Sequence, residues 1–480
     1  MKYNKVTKRI VDELVEICGA KNVTTDVEKM EAYSHDETSE EEYGHMPDAV
    51  ITPTTAEQIA QVVKLANRER IPVTPRGAGS GLSGGCIPTL GGISISIEKM
   101  NKILEIDTDN MVVVCEAGIV TNEINENLKD KGIWFAGYPM SLQTCFLGGN
   151  IAENAGGGKA VKYGVTGRYV LGIELVTPQG DIVELGGKLA KDVTGYDLKQ
   201  LVVGSEGTLG IVTKATIKLT ALPTKMYDLL VLYKTPKDAI DAVAMMMSKG
   251  LTPTSAEFMD ATAVKASCEY LNESLPYQDC GAMLLIEIDG NDAEQVESEA
   301  EAIGDMLLDG GYEGEGAIEV YVADNTTTME RVWSVRRNIA EAFKVQSPQQ
   351  SLEDIVIPIS RIPDMIPELD KISKKYDIQI PCYGHAGDGN LHATLVKNPK
   401  HTMEQWHELE PKALQDMYDV THKLGGKISG EHGIGIKRKK NMALLMDPTE
   451  MKLCKAIKKA WDPNNIMNPG KMFDLEEVES

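Results

Sequence analysis

The stretch Gly77–Ile97, GAGSGLSGGCIPTLGGISISI, carries Gly79, Gly81 and Gly84 at the spacing G-x-G-x-x-G. That spacing marks a dinucleotide-binding βαβ unit only where the loop opens a helix whose N-terminus receives the pyrophosphate. Here Pro88, Gly91 and Gly92 follow too closely for a sustained helix, and the next regular element reads as the strand ISISI. Asp107 lies at a tempting distance for a ribose-binding acid, but outside a βαβ context it has no such meaning. AGGGKA (155–160) also fails as a Walker loop, because Ala160 follows Lys159 and position 153 is Glu where the first glycine belongs. Such loops still expose bare backbone N–H groups able to form an anion-binding nest. The same density recurs in LGGNIAENAGGG (147–158), YGVTGRYV (163–170) and VGSEGTLGIVT (203–213). Several glycine-rich loops converging on one extended, phosphate-containing ligand explain that repetition better than a set of unrelated turns.

A chain of 480 residues is too long for one hydrophobic core and predicts two or three domains. Its 49 basic and 72 acidic side chains leave a net charge of −23, which argues against nucleic acid as a partner. The run Lys437-Arg438-Lys439-Lys440 and the acidic stretches 36–42 and 474–479 read as solvated faces, either acidic stretch being able to dock a basic protein. Eight cysteines are scattered without a C-x-x-C pair, so neither an iron–sulfur cluster nor a zinc ribbon is encoded. The N-terminus has no apolar core of the signal-peptide kind, since Asp12, Glu13 and Glu16 interrupt it, and no apolar run nears the roughly 18 residues of a membrane span. A reducing cytoplasm is the expected location.

Residues 1–46 read as a helical segment with an acidic tail. From 47 to 222 short β-rich runs alternate with glycine loops, around one helix that begins at a capping box of Thr54 and Glu57 and places Ile59, Val62, Val63 and Ala66 on one face. From 223 to 420 strands and helices alternate in the manner of an α+β domain, with a single helix expected over 326–345. Residues 421–480 form a helical, glycine-punctuated tail.

GHAGDGNLH sets His385 and His392 on either side of a turn-forming tetrapeptide, so that two strand ends can bring both imidazoles together. Isolated histidines are usually structural, but SGEHG adds Glu431 and His432, and four of the eight histidines (His385, His392, His422, His432) lie in or near these loops. Two histidines and a carboxylate leave coordination positions open, as a catalytic metal requires; zinc, manganese and ferrous iron all suit them.

The ordered motifs PRGAGSGLSGG, GGNIAENAGG, KYGVTGRYVLGIELVTPQGD, KDVTGYDLKQLVVGSEGTLGIVT, GHAGDGNLH, SGEHGIG and NPGK resemble, over nearly the whole chain, the FAD-linked D-lactate dehydrogenase and glycolate oxidase large-subunit family. The resemblance implies an α+β fold: a vanillyl-alcohol-oxidase-type FAD-binding domain, a ferredoxin-like substrate cap and a C-terminal segment packing back near the flavin. It implies an FAD site lined by Pro75, Arg76, Gly77, Ala78, Gly79, Ser80, Gly81, Pro139, Gly148, Gly149, Asn150, Ala155, Gly156, Gly157, Tyr163, Gly164, Glu206, Gly207, Ile211, Asn468 and Lys471. Covalent members tether flavin through His or Cys; no His falls within 75–85 or 139–167, so FAD is expected to be non-covalent. The family likewise implies His385, His392 and Glu431 as metal ligands, His432 as catalytic base, and Arg336, at the W-x-x-R position, as the clamp on a substrate carboxylate. Arg331 and Arg337 then read as surface or ion-paired residues. Where 2-hydroxyglutarate members commonly carry Asn this chain has Thr394, which leans towards lactate or glycolate.

The expected reaction is oxidation of a D-2-hydroxy acid, D-lactate first. A metal lowers the hydroxyl pKa, a neutral imidazole takes the proton, and flavin takes the hydride. Overall the chain looks most similar to the lactate dehydrogenase subunit that partners electron-transfer flavoprotein. That partner is therefore expected to reoxidise the flavin, with an iron–sulfur subunit, a quinone or oxygen as alternatives. A ferrous-iron oxygenase using His385, His392 and Glu431 as a facial triad would leave the glycine loops unexplained. A non-catalytic electron-transfer subunit would leave the His, Glu and Arg set without purpose.

Overall fold

The computed structural model describes residues 2–276, 280–310 and 315–475, so that the acidic stretch 474–479 lies largely outside the described residues. The chain divides into two compact units. One comprises Met1–Ala155, Val165–Ala221 and His432–Ser480; the other comprises Gly156–Gly164 and Leu222–Glu431. The N-terminal segment is thus part of the first unit, where Ile10 and Leu14 are buried. The tail divides at Glu431 rather than at 420.

In the first unit the strands Val73–Arg76 and Ile93–Ser96 pair in parallel, yet no helix joins them. The connection is the glycine loop itself, as Pro88, Gly91 and Gly92 dictate. These strands belong to a four-stranded sheet with Ala49–Ile51 and Val23–Thr24. The helix Ala56–Glu69 is capped by Thr55, whose side chain accepts from Gln58 N–H, one residue later than the expected capping box. It buries Ile59, Val62, Val63 and Ala66 as one face. A second, antiparallel sheet orders Ile103–Asp107, Val112–Glu116, Ile211–Lys218, Val170–Val176 and Ile182–Gly186. The C-terminal segment returns to the first sheet: Val73 N–H donates to Ile466 O at 2.8 Å, and Asn468 N–H to Val73 O at 2.7 Å.

The second unit is built on one seven-stranded antiparallel sheet, larger than the four strands of a single ferredoxin-like repeat. Its order is Glu319–Ala323, Lys225–Tyr233, Ala282–Gly290, Ser255–Asp260, Cys382–His385, Asn390–Val396, Gln350–Val356. The expected helix over 326–345 is two, Thr326–Arg337 and Ile339–Gln346. It breaks at Asn338, whose side-chain amide turns back onto Ser334 O at 2.8 Å. The segment Gly156–Gly164 is fastened to this sheet by ion pairs of Lys159 with Glu287 and of Lys162 with Asp289, the latter at 2.6 Å. Lys159 is therefore a partner of a carboxylate, in keeping with the failed Walker pattern.

Register decides what one face of that sheet carries. Glu257 pairs with His385, Tyr383 with His392, and His392 with Asp354. With side chains alternating along each strand, Ser255, Glu257, Tyr383, His385, Asn390, His392, Thr394 and Asp354 all fall on the same side.

Candidate active site

In the first unit the candidate cofactor site is made of backbone. A Cβ on Gly77 would lie 3.4 Å from Gly149 Cα, so two glycine loops pass against each other. A Cβ on Gly149 would meet nothing within 4 Å, so that face of the loop is open. Gly79 has φ +77°, a left-handed conformation that glycine adopts without strain. Pro75 packs against Gly207, and Ala78, Ser80 and Gly81 lie half-buried along the same loop. Gly148 is wedged on Ala117, with its N–H on Ala117 O at 2.7 Å; Ala155 closes the helix Leu147–Glu153 by bonding Asn150 O. Pro139 is half-buried and Ile211 opens a buried strand.

The polar members of the expected flavin set brace this cradle from behind. Arg76 donates to His35 O and Ala32 O, at 2.7 and 2.8 Å. Asn150 donates to Thr121 Oγ1 at 2.7 Å, and Lys471 to Ile87 O. Asn468 spans Gly85 O and Glu206 O, at 2.9 and 2.7 Å. Glu206 accepts from Ile434 N–H and Gly435 N–H, at 2.7 and 2.6 Å, which pins the backbone just beyond the half-buried His432. Gly156, Gly157, Tyr163 and Gly164 belong to the second unit, and the Tyr163 hydroxyl donates to Asp289 Oδ1 at 2.9 Å. Cys145, the cysteine within 139–167, is buried with its Sγ on Thr121 Oγ1 at 3.3 Å.

In the second unit the hairpin Cys382–His385/Asn390–Val396 brings the two imidazoles to a centroid separation of 5.3 Å. His385 Nε2 and His392 Nε2 approach the same Glu431 oxygen, at 3.4 and 3.6 Å. On the far side of each ring stands a carboxylate: Glu257 Oε1 is 2.6 Å from His385 Nδ1, and Asp354 Oδ1 is 3.9 Å from His392 Nδ1. A carboxylate behind each imidazole with Nε2 turned inward is how histidine metal ligands are oriented. His385 Nε2 is buried with no hydrogen bond of good geometry. Burial favours the neutral ring, yet Glu257 and Glu431 outweigh it and push the His385 pKa well up. A place that draws a proton so strongly attracts a cation, and two imidazoles with one carboxylate form a donor set for a divalent metal.

Asp354, fully buried, also shapes the third ligand's loop. Its Oδ2 accepts from Ser429 Oγ, Gly430 N–H and Glu431 N–H at 2.7, 3.0 and 3.0 Å, and its Oδ1 from Asn390 Nδ2 at 2.7 Å. Asp354, His392 and Glu431 each present a candidate ligand atom within 4.8 Å of the others, with the Asp354 oxygens already taken up by these donors. Arg336 is buried and donates from Nε to Glu257 Oε2 at 2.7 Å, with its guanidinium 5.2 Å above the Tyr383 ring. Its Nη2 is 2.7 Å from the same oxygen but makes no well-aligned hydrogen bond. Arg331 and Arg337 are exposed and paired with Glu273 and Glu330. His422 is exposed in the last turn of the helix Met403–Lys423.

Sequence reading missed Glu257 and Asp354. The signal was there: SAEFMD and EDIVIP are strands buried on both faces, and a carboxylate inside such a run must have a partner.

Residues 222–472 match the family of FAD linked oxidases, C-terminal domain, and residues 47–186 match an FAD binding domain family. The chain is 38% identical to a glycolate oxidase subunit of Bacillus subtilis, over 98% of this chain and 97% of that one. It is 36% identical to a D-lactate dehydrogenase of Anaerostipes hadrus, over 98% of each, and 32% identical to a D-2-hydroxyglutarate dehydrogenase of Stutzerimonas stutzeri, over 97% and 98%. Among solved structures it is similar to p-cresol methylhydroxylase, with a TM-score of 0.80 and 19% identity over 98% of both chains. It also resembles 4-ethylphenol oxidase from Gulosibacter chungangensis, with a TM-score of 0.78 and 17% identity over 99% of both. These likenesses establish the vanillyl-alcohol-oxidase-type fold.

Proposed function

The chain belongs to the family of FAD-linked oxidases, and from that membership we propose that it oxidises a D-2-hydroxy acid to the 2-oxo acid, D-lactate before glycolate. That it is an FAD-linked oxidoreductase follows from the family; the substrate, the metal and the acceptor are our reading. The observation that carries it is the approach of two inward-turned imidazoles to one Glu431 oxygen, beside a buried arginine.

When bound, FAD supplies a hydride acceptor, and a divalent metal at His385, His392 and Glu431 supplies a Lewis acid that lowers the hydroxyl pKa. Arg336 holds the substrate carboxylate through the guanidinium edge that Glu257 leaves open. His432 accepts the hydroxyl proton as a neutral imidazole, and Glu206 fixes the chain two residues beyond it. The proton thus goes to His432, and a bound flavin would be the acceptor of the hydride. Thr394, buried two residues along the strand from His392, supports a small monocarboxylate over a dicarboxylate. FAD binds without a covalent tether, since no His lies within 75–85 or 139–167. Electrons pass to a protein acceptor, an electron-transfer flavoprotein in the first instance. Free cysteines suit the cytoplasm, and among the described residues no helix is long and apolar enough to cross a membrane.

The test is anaerobic bleaching of the flavin spectrum by D-lactate, L-lactate, glycolate and D-2-hydroxyglutarate, with and without chelator. D-Lactate is expected to bleach fastest, and chelation to abolish bleaching while the flavin stays bound. Equal bleaching after metal removal would sink the metal's role, and preference for the L-acid or the dicarboxylate would sink the substrate.

A further inference from the structure

Glu257 lies mid-strand in Ser255–Asp260 with no exposed surface, and the reaction above assigns it nothing. Its two oxygens are divided between the two halves of the site. Oε1 is 2.6 Å from His385 Nδ1 and accepts from Ser255 Oγ at 3.1 Å. Oε2 accepts from Arg336 Nε at 2.7 Å. A Cβ on Gly158 would fall 2.8 Å from Oε1, so the backbone of the segment Gly156–Gly164 closes over the carboxylate and admits no bulkier neighbour. A buried carboxylate is costly unless paired, and here an imidazole and a guanidinium share one.

We propose that Glu257 is a positioning residue that ties the metal ligand His385 to the substrate-binding Arg336, so that metal affinity and substrate binding are coupled through one side chain. The idea rests on the reading of Arg336 as the carboxylate anchor. On one side the carboxylate holds His385 with Nδ1–H outward, which leaves the Nε2 lone pair for the metal and raises its basicity. On the other it takes up Arg336 Nε, turning the remaining N–H groups towards an incoming carboxylate. A substrate that draws on Arg336 loosens its hold on Oε2 and strengthens the bond from Oε1 to His385. By linkage, substrate then tightens metal and metal tightens substrate by the same factor.

The experiment uses full-length, FAD-loaded protein stripped of metal by chelator and titrated with Mn²⁺. It compares wild type, Glu257→Gln, Arg336→Lys and the double variant, with KM for D-lactate measured at saturating metal. Glu257→Gln is expected to weaken Mn²⁺ binding about 10- to 100-fold and to raise KM about 10-fold, with the flavin spectrum unchanged. Arg336→Lys, which loosens the hold on Oε2, is expected to tighten Mn²⁺ binding severalfold in the otherwise wild-type protein but not in the Glu257→Gln background, the non-additivity that marks a shared element. Where Glu257→Gln fails to fold, Ser255→Ala, which removes a bond to Oε1 alone, is expected to shift Mn²⁺ binding in the same direction by about threefold. Wild-type Mn²⁺ affinity in Glu257→Gln, or strictly additive effects of the two substitutions, overturns the proposal. An unchanged KM in Arg336→Lys would instead overturn the carboxylate assignment, while the loss of Mn²⁺ affinity in Glu257→Gln would still mark the hold on His385.

Discussion

The candidate sites of the two units are built of opposite materials. The cradle of the first is a surface of bare backbone: Gly77 passes against Gly149, and Arg76, Asn150, Glu206 and Lys471 work from behind it. The centre of the second is all side chain, with imidazoles and carboxylates delivered to one sheet face by the register of four neighbouring strands. The first depends on atoms being absent, so one added side chain ruins it. The second depends on atoms being present at the right register, so removing one ligand or slipping one strand ruins it.

The largest effect is expected from subtracting on the side-chain face. His385→Ala should lower kcat about 10³-fold or more, from the loss of several kcal/mol of metal-derived stabilisation, while retaining flavin colour. Metal analysis and the absorbance spectrum check it, and retained metal with full turnover would break the contrast. Next comes adding to the backbone face. A Cβ at Gly149 meets no protein atom within 4 Å, so Gly149→Ala should fold and keep Mn²⁺ affinity, and Gly149→Leu, reaching further into that open side, should purify without FAD. A yellow, active Gly149→Leu protein would show that the open side of Gly149 is not the cofactor's. Smaller still, Arg336→Lys should raise KM for D-lactate about 10- to 100-fold with kcat less affected, since a point charge replaces a fork. Arg337→Ala, at an exposed ion pair, should leave both within twofold, which sharpens the contrast between neighbouring arginines.

The smallest effect is one of pH. Burial, then the charge of Glu287, pushes the Asp228 carboxyl from 3.8 up to about 7, although Trp333 Nε1–H donates to it at 2.9 Å. Between those two values the folded chain keeps a proton that the unfolded chain releases. Its contribution to stability is therefore full below 3.8 and fades as pH rises to about 7. Asp228→Asn should narrow the Tm difference between about pH 5 and pH 8 by a few degrees. A Tm profile parallel to wild type would show that Asp228 does not titrate there.

The two materials were not equally legible in the sequence. Glycine loops announce themselves by composition, and CIPTLGGISISI ruled out a Rossmann helix before any coordinate did, as the helix-free parallel pair Val73–Arg76/Ile93–Ser96 bears out. The hairpin joining His385 and His392 was equally local, because a turn tetrapeptide fixes it. That Glu257 and Asp354 needed partners could be read from their strands, but not which partners, since these lie 128 and 38 residues away in the chain and register between distant strands leaves no local mark. Glu206 and Arg76 were expected along the flavin by motif alone, and their side chains hold the backbone of Ile434 and His35. A motif reports that a residue is needed and says little about which of its atoms are used.

The short segment Gly156–Gly164 sets the terms on which this protein can be divided. It leaves one compact unit, crosses to the other and returns, and while there its Lys159 and Lys162 neutralise the buried Glu287 and Asp289. Residues 222–431 cut out as a continuous stretch would therefore inherit two acids stripped of their lysines. A cut at that boundary that is to keep these charges paired has to carry the segment Gly156–Gly164 along. What looks in the sequence like part of one domain's loop is, in charge, a component of the other's sheet.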